Sequence, residues 1–230
     1  LADWKISKAV TGEYYCDRVA GLMSRAVEDV RAAVDEIAAG GRDGCEKLMY
    51  GLLLSGLAMQ MVGNSRPASG AEHHVSHLWE MGVLAPPPDA LHGEKVGIGL
   101  ALCAEQYHAF AAALRSGTLR PGPRPDTRAE IERYFPDAGM RELILEENVP
   151  DPLDDVTAEK ALGARDEILA AIDEIPSAEE LRALLRKAGG VAEPGEIGVR
   201  EDIVPLTLRI SPYVRRRLTL MRLRKVFENI

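Results

Sequence analysis

Residues 66–99 read RPASGAEHHVSHLWEMGVLAPPPDALHGEKVGIG, and this stretch holds four of the chain's five histidines, namely His73, His74, His77 and His92. Ser69 followed by Glu72 has the spacing of a capping box, which predicts a helix from Gly70 to Gly82. Histidine is scarce elsewhere in the sequence. The clustering therefore indicates a local function rather than a general bias in composition.

Spacing relates these histidines to one another. His73 and His77 would lie one helical turn apart on one face, and a run of three prolines would then turn the chain back so that His92 stands beside His73. Two neutral imidazoles together with one carboxylate form a ligand set that suits a borderline divalent metal ion and leaves one coordination position open for substrate. We predict His73 and His92 as metal ligands, and we interpret His74 and His108 as ordinary core or surface residues.

Composition limits the class of protein. The chain has 230 residues, of which 46% are hydrophobic and 28% charged, as expected for a globular protein of one or at most two domains. Its net charge of -8 disfavours nucleic acid as a partner. We expect no membrane span and no export signal, and three cysteines without a C-x-x-C motif suit a reducing cytoplasm.

No segment alternates polar and apolar residues for long, so the predicted fold class is all-α. Apolar residues spaced by three and four predict a long amphipathic helix over 14–39. Asp43 and Glu46 form a second capping-box pattern ahead of residues 45–63, which are apolar on nearly every side. We predict that this second helix is central and buried all round.

Residues 93–117 form another predicted helix, with Gly93, Gly97 and Gly99 near its start. Glycine in a helix costs about 1 kcal/mol relative to alanine, so either close packing or an approaching ligand should explain them. Further helices are expected over residues 127–135, 158–174, 177–190 and 211–229. The last of these carries five arginines, which we interpret as a solvated or ion-paired face, with phosphate binding by Arg217 as the alternative.

Three strings in the chain resemble a known family: SRPASGAEHHVSHLWEM (65–81), LHGEKVGIG (91–99) and EIGVREDIVPLTLRISPYVRRRLTL (196–220). They are similar to sn-glycerol-1-phosphate dehydrogenases, in the superfamily that also holds glycerol dehydrogenase, iron-containing alcohol dehydrogenases and dehydroquinate synthase. H-x-x-x-H followed by L-H-G-E-x-V is typical of that superfamily. The flanking N-S-R-P-A-S-G-A-E-H narrows the resemblance to the glycerol-1-phosphate branch.

The resemblance implies an enzyme of two domains, with a metal in the cleft between a nucleotide-binding α/β domain and a helical domain. Residues 1–230 correspond to the helical metal- and substrate-binding domain only. The implied reaction is reduction of dihydroxyacetone phosphate by NADH or NADPH to sn-glycerol 1-phosphate, with zinc, or alternatively nickel or iron, as the metal. Because the family's glycine-rich fingerprint is missing here, NAD(H) or NADP(H) should be bound mainly by the absent domain, and no cofactor-binding residue is assigned.

The resemblance also implies roles for individual residues. His77 would hydrogen-bond the reacting oxygen or relay a proton, and Arg66, helped by Asn64 and Ser65, would bind the substrate's phosphate. A plain solvated arginine is the competing interpretation of Arg66. The family's third metal ligand is an aspartate that would precede residue 1, and Asp3 does not occupy that motif position.

Three hypotheses stay open at this point. The chain is a dehydrogenase domain completed by a nucleotide-binding domain or partner chain, or it is a helical binding or scaffold domain without catalysis. Within the first hypothesis, a glycerol dehydrogenase-like enzyme acting on an unphosphorylated polyol is the alternative substrate class. Apolar surface left exposed by the missing domain would favour a partner chain or a homo-oligomer.

Overall fold

The structure, a computed structural model, describes residues 1–228 and is almost entirely helical. Its helices are α1 (Ala2–Thr11), α2 (Asp17–Ala32), α3 (Val34–Ala38), α4 (Arg42–Val62), α5 (Ala71–Glu80), α6 (His92–Ser116), α7 (Thr127–Tyr134), α8 (Ala138–Glu147), α9 (Ala158–Gly163), α10 (Arg165–Asp173), α11 (Ala178–Lys187), α12 (Val204–Ile210) and α13 (Leu220–Leu223). Two short strands, β1 (Arg120–Pro121) and β2 (Phe227–Glu228), pair antiparallel. The all-α prediction is confirmed.

The histidine helix α5 is held between two hydrophobic clusters. Val75 and Trp79 belong to the main core, which is built on α6 together with α1 and α10. Leu78, on another side of the same helix, belongs to a second cluster with Phe135 and Tyr213. A short helix buried on two sides has little freedom to move, so its histidines are presented in a fixed direction.

Close packing explains two of the three glycines of α6. A Cβ on Gly99 would lie 2.8 Å from the carbonyl oxygen of Glu72, so only glycine lets α5 and α6 approach this closely. A Cβ on Gly97 would lie 2.9 Å from a methyl group of Leu185 on α11. Gly93 is different, since a Cβ there would meet nothing within 4 Å.

The prediction of a central, buried helix over 45–63 is wrong. The helix α4 begins earlier, at Arg42 after Gly41, without a side-chain cap, and lies at the surface. Its inner side packs on α2, where Ala58 joins a small cluster with Val19 and Met23. Its outer side is exposed, because no element among residues 1–228 covers it. A helix that is apolar on all sides is expected to be buried, but its sequence does not tell which part of the protein, or which other protein surface, covers it.

The C-terminal segment also differs from expectation. In place of the expected helix or helix pair over 211–229 it forms 3-10 turns at Ser211–Tyr213 and Arg224–Val226, the short helix α13 and the strand β2. Residue 229 lies outside the described part of the chain. The segment turns repeatedly because it threads through the core: Arg222 is completely buried and pairs with Asp151.

Smaller expectations have mixed outcomes. The predicted helix over 14–39 starts at Asp17 and breaks at Ala33, and the one over 158–174 breaks at Ala164. The helix predicted over 177–190 is present as α11, and Ser177 and Glu180 form a capping box at its start. The three cysteines are free thiols. Within residues 1–228, no helix is both long enough and apolar enough to cross a membrane.

Candidate metal centre

Three histidine rings converge where α5 ends and α6 begins. The ring centroids of His73 and His92 are 5.5 Å apart, those of His77 and His92 are 5.4 Å apart, and those of His73 and His77 are 6.3 Å apart. The predicted approach of His73 to His92 is therefore observed. It arises because α5 places two histidines one turn apart and the proline-rich turn returns the chain so that α6 starts at His92.

Each of the three rings is held at Nδ1 by a carboxylate. Nδ1 of His73 lies 2.8 Å from Oε1 of Glu72, and Nδ1 of His92 lies 2.8 Å from Oε1 of Glu80. The other oxygen of Glu80 lies 3.0 Å from Nδ1 of His77. When Nδ1–H donates to these carboxylates, the lone pair of each ring is on Nε2 and is free to coordinate a metal.

Glu80 was not predicted from the sequence, although it stands three residues after His77, on the same face of α5. Nζ of the buried Lys95 lies 3.1 Å from its Oε1. Burial works against ionisation, but hydrogen bonds from His92, His77 and Lys95 lower the pKa of Glu80 to about 2. The carboxylate is therefore negatively charged at neutral pH and attracts cations.

Glu72 and Asp3 fix the start of α5. The predicted N-cap Ser69 is not used: the N-cap is Gly70, whose N–H donates to Oε1 of Glu72 at 2.6 Å. Oδ2 of Asp3 accepts from the N–H of Ala71 at 2.8 Å, so the cap comes from another helix. Burial alone would raise the pKa of Glu72. A hydrogen bond and the charge from His73 oppose this effect and lower the pKa of Glu72 to about 2.

Asp3 acts as an anchor rather than as a ligand. Its Oδ1 accepts from the hydroxyl of Tyr107 and from the N–H of Leu220, both at 2.7 Å. Burial, reinforced by the charge of Glu72, raises the pKa of Asp3. A Cβ on Gly70 would lie 2.7 Å from its Oδ2, so this junction requires glycine.

The remaining two histidines, His74 and His108, lie outside the cluster of His73, His77 and His92. His74 is buried, neither ring nitrogen has a partner among the described residues, and burial lowers its pKa to about 3, so the ring is neutral. His108 is half-buried, with Nε2 at 3.3 Å from the carbonyl oxygen of Pro176. His108 therefore has a single contact to a backbone carbonyl, whereas His74 is a buried ring without a hydrogen-bond partner among the described residues.

The donor set fits a divalent metal of the zinc or nickel kind. His77, Glu80 and His92 each offer one ligand atom, and these atoms lie within 4.8 Å of one another. Two binding modes are possible: Glu80 coordinates directly, or the histidines coordinate through Nε2 while Glu80 orients them. An open cleft of about 720 Å³ adjoins the cluster, lined by His77 and Glu80 on one side and by Arg215 and Arg216 on the other.

Arg66 is not a solvated arginine, and its guanidinium is already engaged. The side chain is 5% exposed, and Nε donates to Oε1 of Glu13 at 2.8 Å while Nη2 bonds the other carboxylate oxygen. Nη1 donates to the carbonyl oxygen of Leu218 at 2.9 Å, and Nη2 also reaches Oγ of Ser7. This ion pair fixes the turn before α5 to the segment that follows α1, and the contact with Ser7 joins it to α1 itself.

Asn64 and Ser65 belong to the same turn. Oδ1 of Asn64 accepts from the N–H of Arg66 at 2.9 Å, and Oγ of Ser65 accepts from Nη2 of Arg217 at 2.6 Å. Arg217 also donates to the carbonyl oxygen of Ser69 at 3.2 Å, next to the start of the histidine helix. The structure therefore brings Arg217 to the turn that carries the three predicted substrate-binding residues.

Three carboxylate-held histidines beside an open cleft form a candidate metal site of the kind found in metal-dependent enzymes. Comparison with known proteins makes the class specific. The chain is 32% identical to the NAD(P)+ glycerol-1-phosphate dehydrogenase of Geobacillus stearothermophilus over 216 residues, which are 94% of this chain and 46% of that protein. It is 32% identical to the enzyme of the same name from Bacillus subtilis over 224 residues, 97% of this chain and 46% of the relative.

A third relative bears the same name. The protein from Pyrococcus horikoshii is 40% identical over 131 residues, 57% of this chain and 37% of its own length. No protein-family profile matches the chain. The chain belongs to the glycerol-1-phosphate dehydrogenase family through the segment it shares with these proteins, and it corresponds to their helical C-terminal part. It spans about half the length of the curated relatives it matches.

Proposed function

We propose that residues 1–230 are the metal- and substrate-binding domain of an NAD(P)-dependent sn-glycerol-1-phosphate dehydrogenase. The observation that carries the proposal is the convergence of His73, His77 and His92, each held at Nδ1 by a carboxylate, beside an open cleft. The relatives bear the name of this activity, and they are about twice as long as this chain. The nucleotide is therefore assigned to a further domain or partner chain.

In this proposal His73 and His92 would hold a divalent metal through Nε2, while Glu72 and Glu80 orient the two rings. The metal, when bound, would supply Lewis-acid chemistry for the ketone of dihydroxyacetone phosphate. His77 faces the cleft and passes a proton to the ketone oxygen. The reaction balances as one hydride from NAD(P)H to carbon and one proton to oxygen, which gives sn-glycerol 1-phosphate and NAD(P)+.

Replacing Glu80 with glutamine should weaken metal binding about 10–100-fold, since a carboxylate that orients ligating histidines typically contributes this much. Glutamine keeps the shape but has one acceptor oxygen, whereas Glu80 accepts from two rings. Calorimetric titration of the purified chain with Zn²⁺ measures the change. Glu94→Gln is the matched control, because Glu94 caps α6 through the N–H of Leu91 and is not bonded to a histidine. Unchanged affinity in Glu80→Gln would contradict both binding modes.

The phosphate is proposed to bind at the turn of Asn64, Ser65 and Arg66, with Arg217 as its main cation. Arg66 is engaged by Glu13, so it holds the turn in place. Arg217 forms no salt bridge with any residue between 1 and 228, and its planar guanidinium suits a phosphate dianion. Its contact with the carbonyl of Ser69 places it one residue before the N-cap of the histidine helix.

Arg217→Ala should weaken binding of glycerol 1-phosphate to the Zn²⁺-loaded chain about 10–100-fold, as expected when a charged hydrogen-bonding group is lost. Binding of glycerol should hardly change. Isothermal titration with both ligands measures the difference, and Arg200→Ala, which removes an exposed arginine paired with Asp202, is the control. An equal loss for both ligands would take Arg217 out of the phosphate site and favour an unphosphorylated polyol.

The same titrations test the proposed function as a whole. A metal-binding catalytic domain should bind Zn²⁺, Ni²⁺ or Fe²⁺ through the histidine cluster and should bind glycerol 1-phosphate only when the metal is present. A chain that binds neither would be a helical scaffold. Oxidation of sn-glycerol 1-phosphate, followed by nicotinamide absorbance with NAD+ and then NADP+, tests the reaction itself and distinguishes the two nucleotides.

A further inference from the structure

A buried lysine lies beside the histidine cluster, and the proposed metal binding does not use it. Lys95 follows His92 on α6 by one helical turn, and its side chain is 9% exposed. Its Nζ lies 3.1 Å from Oε1 of Glu80, and no other carboxylate among residues 1–228 lies within 4.0 Å of this nitrogen. An ammonium group next to a cation site opposes the binding of a cation. The position of Lys95 therefore requires an explanation.

The donors around Glu80 show how its carboxylate is used. Oε1 lies 2.8 Å from Nδ1 of His92, 3.1 Å from Nζ of Lys95 and 3.2 Å from Oγ of Ser76. An ionised carboxylate offers about two lone pairs on each oxygen, so these three donors leave Oε1 none for a metal. Oε2 lies 3.0 Å from Nδ1 of His77. Direct coordination of a metal by Glu80 would therefore have to go through Oε2.

The ion pair between Lys95 and Glu80 opposes such coordination. It would commit the negative charge of Glu80 to the metal and leave the buried ammonium without its countercharge, which is costly away from water. The lysine has little room to follow the carboxylate, because α5 and α6 are in close contact one turn further on. A Cβ on Gly99 would lie 2.8 Å from the carbonyl oxygen of Glu72.

We propose that Lys95 is a positioning residue that keeps Glu80 from coordinating the metal. The inference rests on the proposed function and deepens it, since it selects the binding mode in which Glu80 orients the rings of His77 and His92. The ligands from residues 1–228 are then neutral imidazoles, and a coordination position stays open for substrate. Lys95 acts through Glu80 and does not itself touch the substrate.

The Co²⁺-loaded chain tests this proposal, because the visible absorption of Co²⁺ reports the number and kind of its ligands. Lys95→Met removes the ammonium and replaces it with an unbranched apolar side chain that adapts to a buried site. Glu80 should then become a ligand and change the visible spectrum. Co²⁺ should bind at least about 10-fold more tightly, because the site gains a ligand and loses a positive charge. Lys187→Met, at an exposed lysine paired with Asp35, is the control and should keep the wild-type spectrum and affinity.

The open coordination position is measured with imidazole, a neutral ligand that the loss of one charge does not directly attract or repel. In Lys95→Met, imidazole should bind Co²⁺ about 10-fold more weakly, because its apparent affinity falls with the fraction of molecules in which the position is open. Combining Lys95→Met with Glu80→Gln should restore the wild-type imidazole affinity, since an uncharged amide competes poorly for the metal. A lysine that only supports the fold would not give this recovery.

Circular dichroism establishes that each variant is folded, and Lys95→Gln provides a second uncharged side chain for the same measurements. If Lys95→Met and Lys95→Gln bind Co²⁺ with the wild-type spectrum and imidazole affinity, this proposal is overturned and the proposed function is not. A double variant that fails to recover imidazole binding would also overturn it. A wild-type chain that takes up no Co²⁺ would overturn the proposed metal site and this inference together.

Discussion

Alanine in place of His92 should abolish tight metal binding by this chain. The ring centroid of His92 lies 5.5 Å from that of His73 and 5.4 Å from that of His77, and Glu80 already fixes its orientation. If about 10 kcal/mol of zinc-binding free energy is shared among a few ligands, the loss of one costs roughly 3 kcal/mol, or at least a 100-fold weaker affinity. Titration with Zn²⁺ and measurement of the metal that remains after dialysis give the result.

The control for this substitution is His108→Ala, which removes a histidine bonded only to a carbonyl oxygen and should not change Zn²⁺ affinity. His73→Ala should be as damaging as His92→Ala if the assigned pair holds the metal. Should His77→Ala abolish binding while His73→Ala does not, the ligands would be His77, Glu80 and His92 instead. Full metal content in His92→Ala would refute both sets.

Local spacing in the sequence was sufficient to predict the meeting of the histidines. Two histidines four residues apart on a helix, a proline-rich return and a third histidine at the next helix start leave little conformational choice. The oxygens that hold the rings were harder to predict. The carboxylate of Glu80 on α5 contacts His77 on the same helix and both His92 and Lys95 on α6. The spacing of residues in the sequence does not predict such a convergence of side chains from two helices.

Arg66 shows a different limit of sequence reasoning. The family resemblance implied that Arg66 binds phosphate, and the alternative was a solvated side chain. The structure buries it against Glu13, a residue 53 positions away in the chain. A distant partner of this kind follows from packing of the segment after α1 against the turn, which periodicity does not specify.

Periodicity also failed to predict the surroundings of α4 and of the C-terminal segment. A helix that is apolar all round has the same sequence whether its own chain or another copy covers it. A segment rich in arginine usually lies in solvent, yet Arg222 is fully buried because Asp151 compensates its charge and the ring of Tyr213 lies 4.5 Å from its guanidinium carbon.

Arg222→Ala should lower the free energy of unfolding by about 3–5 kcal/mol, since removing one member of a buried ion pair leaves the other charge uncompensated. The Arg222 side chain is 0% exposed and that of Asp151 9%, with 2.9 Å between Nη2 and Oδ1. Urea denaturation at neutral pH measures the loss. Arg128→Ala is the control: it removes an exposed i, i+4 pair with Glu132 and should change stability by less than about 1 kcal/mol.

The pH dependence identifies the ion pair as the cause. Burial opposes ionisation of Asp151, but the charge of Arg222 and a hydrogen bond from Thr127 keep its pKa below the usual value. A lowered pKa in the folded state stabilises the wild-type chain above about pH 4, the ordinary value for aspartate, and this contribution is lost as pH falls through the folded-state pKa. In Arg222→Ala, Asp151 keeps only the long 4.0 Å ion pair with the half-exposed Arg124, so protonation of this carboxylate should stabilise the variant. The difference between the two proteins should therefore shrink as the solution is acidified, and a difference that stays constant with pH would mean that packing, and not charge, makes Arg222 necessary.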